Sequence, residues 1–155
     1  MRKRVLNNDV PSRIDPDADW LPVDQIASVE VTSEDASYPV ENALLRGSES
    51  GWRAAQPGEQ TIRLIFDAPQ HIRRIYLEFA EPDAERAQEF VLRWSDSRTD
   101  HEIVRQQWNF SPTGATQQVE DYKVDLRSVH QLELMIIPDR NRGAARASLE
   151  KLRLA

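Results

Sequence analysis

The sequence predicts an all-β chain: a two-sheet β-sandwich, jelly-roll or Ig-like, of about eight strands with one or two short helical turns. Three observations predict it. From Ile26 onward the apolar residues recur with period two rather than 3.6, the mark of strands with one buried face. The alternating runs are short and separated by turn chemistry, "APQ", "EPDAE", "SDSRTD", "SPTG" and "PDRNRG". At 155 residues the chain has the usual size of one domain and can bury a core of its own. Many short strands with little helix pack as two sheets.

Residues 1–20 are polar, carry Pro11 and Pro16 and lack periodicity. They read as the main part of a loose arm over 1–23, with "DWLPV" placed to pin Trp20 and Leu21 to a body that spans 24–155. "IASVEVTSE" alternates weakly. "YPVENALLRG" reads as a helix, with Pro39 near its start, Leu44 and Leu45 inside and Gly47 as the stop. "TIRLIF" places Ile62, Leu64 and Phe66 on one face and Arg63 on the other. "IRRIYLEFA" does the same with Ile75, Leu77 and Phe79, and "EFVLRWSD" with Phe90, Leu92 and Trp94. Between these two runs, "EPDAERAQ" has the composition of one helical turn. "EIVRQQWNF" is a poorer match to period two. "VEDYKVDL" offers Tyr122, Val124 and Leu126, and "LELMII" Leu132, Leu134 and Ile136. "ASLEKLRL" closes the chain, and its Leu149, Leu152 and Leu154 require a bulge.

Composition excludes several classes of function. There is no cysteine, so disulfides and thiol chemistry are absent. The net charge of −6 argues against direct DNA binding, because such affinity comes largely from phosphate neutralisation. The basic tip at the start has no apolar run behind it, and no stretch approaches the roughly 20 apolar residues of a membrane span, so a cytoplasmic protein without membrane contact is expected. Catalytic groups do not converge. His71, His101 and His130 sit at predicted strand edges or turns with no second ligand at metal spacing. "DPDAD" (Asp15–Asp19) lacks the glycine and the distal glutamate of a calcium loop, and no phosphate cradle or nucleophile elbow is present. The expectation is a chain that is not an enzyme and needs no metal or cofactor.

Binding remains, and the loops at the ends of a sandwich are where ligand groups gather. The candidate residues are Glu49, Arg53, Trp108, Asn109, Arg140 and Arg142, with Asp83 and Arg86 beside them. Arg140 and Arg142 carry the fork that pairs with carboxylate or phosphate, or they are solvated turn residues. Trp108 is either a stacking surface or a core residue beside Phe110. Trp52 and Arg53 are neighbours in an extended segment and face opposite sides. That assigns Trp52 to the core and Arg53 to a ligand.

The stretch "ENALLRGSESGWRAAQPGEQTIRLIF" (Glu41–Phe66) resembles the galactose-binding-like (discoidin, or coagulation-factor type C) domains, in which a short helical turn leads to a tryptophan and then a strand. One branch resembles it more closely, the N-terminal domain of the X-ray repair cross-complementing scaffold protein. That branch shares Glu41-Asn42, Leu44, Trp52-Arg53-Ala54-Ala55, Gly58-Glu59 and Thr61-Ile62 without a gap. The resemblance implies a jelly-roll sandwich of eight or more strands and a non-catalytic binding module. Its members bind sugars, phospholipid heads or proteins, and in the repair branch nicked DNA and a polymerase. The expected ligand is a small polar molecule such as a saccharide, held by loops at one end. The alternative is a protein-docking scaffold domain linked to DNA repair, using a sheet face or edge that bears Ile65, Val91 or Met135.

Overall fold

The computed structural model describes residues 19–48 and 50–155. The residues expected to form the outer part of the arm, Asp15 and Asp17 of the acidic run among them, and Glu49 lie outside the described residues.

Among the described residues, two one-turn helices precede and interrupt the strands. α1 (Val23–Ile26) follows Pro22, and α2 (Glu41–Leu44) follows Val40. The strands are β1 (Ala27–Val31), β2 (Trp52–Pro57), β3 (Gln60–Ala80), β4 (Arg86–Ser95), β5 (Asp100–Phe110), β6 (Gln117–Ile137), β7 (Arg146–Leu149) and β8 (Lys151–Leu154). All the pairings are antiparallel, in the order β1-β3-β6-β4-β5, with β8 also on β3 and with β2 on β7. The all-β sandwich expected from period two is thus what forms, but its elements are joined differently.

"TIRLIF" and "IRRIYLEFA" are one strand, β3, and "VEDYKVDL" and "LELMII" are one strand, β6. Both bend where their register shifts, between Ile65 and Arg74, and Ser128 there takes a positive φ of 63°. Shifts of this kind let a strand turn the corner from one sheet into another. The first half of β3 pairs with β1 and the second half of β6; its second half pairs with β8 and the first half of β6. Ile62, Leu64, Ile75, Leu77 and Phe79 all face the core, together with Phe90, Leu92, Leu132, Leu134 and Ile136.

Three local differences have clear causes. The helical turn expected over 81–88 does not form. Instead the Glu81 carboxylate accepts the Asp83 N–H (3.2 Å) and the Arg86 guanidinium (2.8 Å), and Arg86 opens β4 opposite Phe110. Pairing with β5 overrides the helical propensity of the segment. The expected bulge in "ASLEKLRL" is a change of partner: β7 pairs with β2, β8 pairs with β3, and the Glu150 N–H between them donates to Glu78 O (2.8 Å). The poor alternation of "EIVRQQWNF" reflects an edge strand with a register shift opposite Leu92 and Arg93.

α2 is one turn, shorter than the span Tyr38–Gly47 that the sequence offers. It stops because Leu45 is extended and because the buried Arg153 guanidinium donates to the carbonyls of Ala43 (2.7 Å) and Leu45 (2.9 Å). Those are orphan acceptors at a helix end. The "DWLPV" segment is held as expected: Trp20 is buried against Tyr76 (6.3 Å between rings), and the Leu21 N–H donates to Leu154 O (2.7 Å).

Candidate functional site

The segment that carries the Trp-Arg pair is fixed from both sides. The Asn42 amide donates to Ser50 Oγ (3.0 Å) and to Gly51 O (3.4 Å), tying α2 to the start of β2. Gly51 lies so close to β7 that a Cβ there would stand 2.3 Å from Leu149 O. Only glycine lets the two backbones meet. Trp52 then points into the core, fully buried, and its indole N–H donates to Ser33 O (3.0 Å). The strand alternation turns Arg53 outward, where its guanidinium lies 4.4 Å over the Tyr38 ring.

Arg53 opens onto a cleft of about 440 Å³ at the loop end of the sandwich. The β3–β4 loop supplies Glu81, Asp83 and Glu85; the loop after β6 supplies Asp139 and Arg142; β7 supplies Arg146. Alanines make the space: Ala54, Ala80, Ala84, Ala144, Ala145 and Ala147 all line it. An adjoining cleft of about 360 Å³ shares Glu85, Arg86, Asp139 and Arg142 and adds Asn109, Phe110, Ser111 and Asn141.

The shared floor is a built polar network. Arg86 is buried, stacks on Phe110 (4.7 Å) and donates to Glu81 Oε1, to Gln88 Oε1 (3.0 Å) and to Pro138 O (2.9 Å). Gln88 passes the network on to Gln118 (3.0 Å), and Gln118 to Glu120 (3.2 Å). A buried guanidinium with a carboxylate and two further acceptors is held in one orientation. Asp139 Oδ1 accepts the N–H groups of Asn141 (3.0 Å) and Ala87 (3.3 Å) and so shapes the loop that presents Arg142. Arg142 and Arg146 themselves are exposed and make no side-chain hydrogen bond or ion pair among the described residues. In register with β2, Arg146 lies on the same outward face as Arg53: Arg53 is opposite Ser148, two residues on from Arg146.

The sequence-named residues therefore divide. Arg53, Arg142, Arg86 and Asp83 line the first cleft, and Asn109 the second. Arg140 lines neither, since its guanidinium turns toward Glu89 (3.8 Å) and its N–H donates to Ala87 O (2.8 Å). Trp108 also lines neither. It stands opposite Gln88, half-buried against the core, with its indole N–H buried and unbonded. Arg146, Glu81 and Glu85 were missed. Arg146 has no signal of its own, because its facing depends on the β2–β7 register.

The histidines do not converge. His71 meets Asp125, and His101 meets Asp96 (3.3 Å) and stacks on Trp94 (4.5 Å). The His71 hydrogen bond holds the Asp125 carboxyl below the usual range, and the Arg98 and Thr99 N–H groups do the same for Asp96. No group of three or more His, Asp or Glu among the described residues is arranged to hold a metal ion. Among them, no helix is long and apolar enough to cross a membrane.

Residues 21–80 match the family model of the XRCC1 N terminal domain. This segment contains the Trp52-Arg53 pair and its α2 lead-in. No curated protein matches the chain. Among solved structures, the chain is similar to the family 32 carbohydrate-binding module of C. perfringens NanJ in complex with galactose. The TM-score is 0.65 at 12% identity, covering 87% of this chain and 96% of that one. It is similar to a pectin-binding carbohydrate-binding module, with TM-score 0.59 at 15% identity over 84% of this chain and 90% of that one. It is similar also to reduced XRCC1 bound to the DNA pol beta catalytic domain, with TM-score 0.58 at 14% identity over 81% and 92%. The resemblance read from the sequence holds: the fold is the galactose-binding-like sandwich, and the segment that carries the resemblance is inside the one the XRCC1 family model matches.

Proposed function

We propose that this chain is a non-catalytic binding module whose ligand is a small polar molecule of the saccharide class, held in the loop-end cleft. The observation that carries the reading is the cleft itself. It is a depression of about 440 Å³ lined by Arg53 and Arg142, with Arg142 unpaired among the described residues and Arg86 held by its hydrogen bonds at the floor. Cleft volumes of a few hundred Å³ with a few placed polar groups are usual for small ligands. Family 32 modules and a pectin-binding module share the fold, which supports the ligand class by analogy. In this reading Arg53, Arg142 and Asn109 contact the ligand, while Trp108 and Arg140 stand outside the contact surface. A glycan array tests it. Wild-type protein is retained by at least one saccharide class and Arg53→Ala loses that retention; an array silent in every class removes the saccharide reading.

A second reading is a protein-docking domain of the repair-scaffold kind. It is favoured by the family match and by Ile65, 37% exposed on the outer face of β3. The wider patch it needs is small, since Val91 is fully buried and Met135 half-buried. Ile65→Asp that abolishes capture of a purified DNA polymerase catalytic domain supports this reading; unchanged capture, or none by wild type, removes it.

A further inference from the structure

We propose that the saccharide taken by the loop-end cleft is an acidic one, carrying a carboxylate held by Arg142 and Arg146 and faced by Arg53. This rests on the reading of the cleft as a saccharide site and names the class of sugar.

The charges of the cleft divide into those already held by a partner and those that are not. The guanidiniums of Arg142 and Arg146 have no carboxylate, carbonyl or amide oxygen as partner among the described residues, while that of Arg53 lies over the Tyr38 ring and acts on the Glu150 carboxylate. The acids of the same cleft are mostly occupied. Glu81 holds Arg86 (2.8 Å), Asp139 Oδ1 accepts two backbone N–H groups, and Asp35 Oδ1 accepts the Ser37 N–H (2.9 Å). The charges left over among the described residues are sorted by element. The β3–β4 loop presents the carboxylates Asp83 and Glu85; β2, β7 and the loop before β7 present the three arginines.

Sugar hydroxyls donate to carboxylates, so Asp83 and Glu85 suit the ring. Three guanidiniums exceed what hydroxyls need. The guanidinium is a planar fork of donors with no acceptor, and its best counterpart is a carboxylate taken in bidentate geometry. A uronate provides both halves: hydroxyls for the loop carboxylates and a C6 carboxylate for the arginines. The arginine side is the one whose facing is fixed by structure, because Arg53 and Arg146 project from one face of the β2–β7 pair.

The experiment is isothermal titration calorimetry with matched methyl glycosides, the uronides of galactose, glucose and mannose against their neutral parents. They differ only in carboxylate against hydroxymethyl at C6. Wild-type protein is expected to bind one uronide at least about tenfold more tightly than its neutral parent, the scale of one charge-assisted hydrogen bond. Arg142→Gln with Arg146→Gln is expected to bring the two affinities together, the uronide weakening more than its neutral parent. Equal affinity for acid and neutral sugars in wild type overturns the proposal and leaves the saccharide reading standing. So does a preference that survives the double substitution. No binding of any glycoside at millimolar concentration overturns both. Both arginines are exposed and unpaired among the described residues, so the variant folds, and an unchanged melting temperature checks this.

Discussion

On the outer face of the sheet, Glu30, Arg63, Glu133, Arg93 and Glu102 lie opposite one another across β1, β3, β6, β4 and β5. Signs alternate along the row, and Arg63 binds Glu30 at 3.2 Å and Glu133 at 3.0 Å, which raises its already high pKa through those two hydrogen bonds. At the loop end, Arg142 and Arg146 have no such counterpart among the described residues. The same residue type therefore does two jobs. On the sheet face, cross-strand register sets opposite signs side by side, and Arg63 is answered by two carboxylates. At the cleft, Arg53 on β2, Arg146 on β7 and Arg142 on the loop before β7 share a lining with Glu81, Asp83 and Glu85, and among the described residues no ion pair joins Arg142 or Arg146 to an acid. A surface whose charges are answered internally gives little to a ligand; one whose charges are not is where a ligand gains most.

The largest predicted effect breaks the register on which the cleft depends. Gly51→Ala drives a Cβ into Leu149 O and separates β2 from β7, the pair that carries Arg53 and Arg146. A loss of about 3 kcal/mol or more is expected in urea denaturation, since a backbone clash has no flexible side chain to absorb it. A loss below about 1 kcal/mol contradicts the close approach. Next, Arg142→Gln with Arg146→Gln is expected to weaken uronide binding about tenfold and to shift stability by less than about 0.5 kcal/mol. Arg63→Gln gives the opposite pattern. It costs about 0.5–1 kcal/mol at low salt, shrinking as salt rises, with ligand binding unchanged. If Arg63→Gln alters binding, or the cleft double variant unfolds, the two surfaces are not independent.

The smallest effect concerns Glu150, which joins β7 to β8. Burial pushes its carboxyl pKa up, with Arg53 opposing and Glu78 adding to the rise. A carboxyl raised in the fold stabilises it when protonated, and that contribution is lost as pH rises through the folded value. Glu150→Gln is therefore expected to be the more stable protein at pH 7. The gain should fade as pH is lowered through the carboxyl's range, and paired thermal melts at pH 4 and pH 7 read it.

Much of the sandwich was legible because period two records burial directly. Ile62, Leu64 and Phe66, then Ile75, Leu77 and Phe79, are all buried as the alternation requires. The continuity of β3 was not legible, since "APQ" has turn composition and only pairing with β6 on both sides of it makes one strand. The turn expected at 81–88 failed for a similar reason: its residues favour helix, but Glu81 and Arg86 find each other across a loop. At the site, Arg53 could be read because its neighbour Trp52 had to point inward. Arg146 could not, because its facing is set by a partner strand about ninety residues earlier in the chain. Arg140 and Arg142 are indistinguishable by composition, and geometry sends one to Glu89 and the other to the cleft.

Where the ligand sits is read by amide chemical-shift mapping of the labelled protein titrated with a methyl uronide. A ligand in the loop-end cleft gives shifts clustered at Arg53, at 81–86 and at 139–148, with the Glu30–Arg63–Glu133 row silent. Shifts centred on that row or around Ile65, with the loop end unchanged, would contradict it.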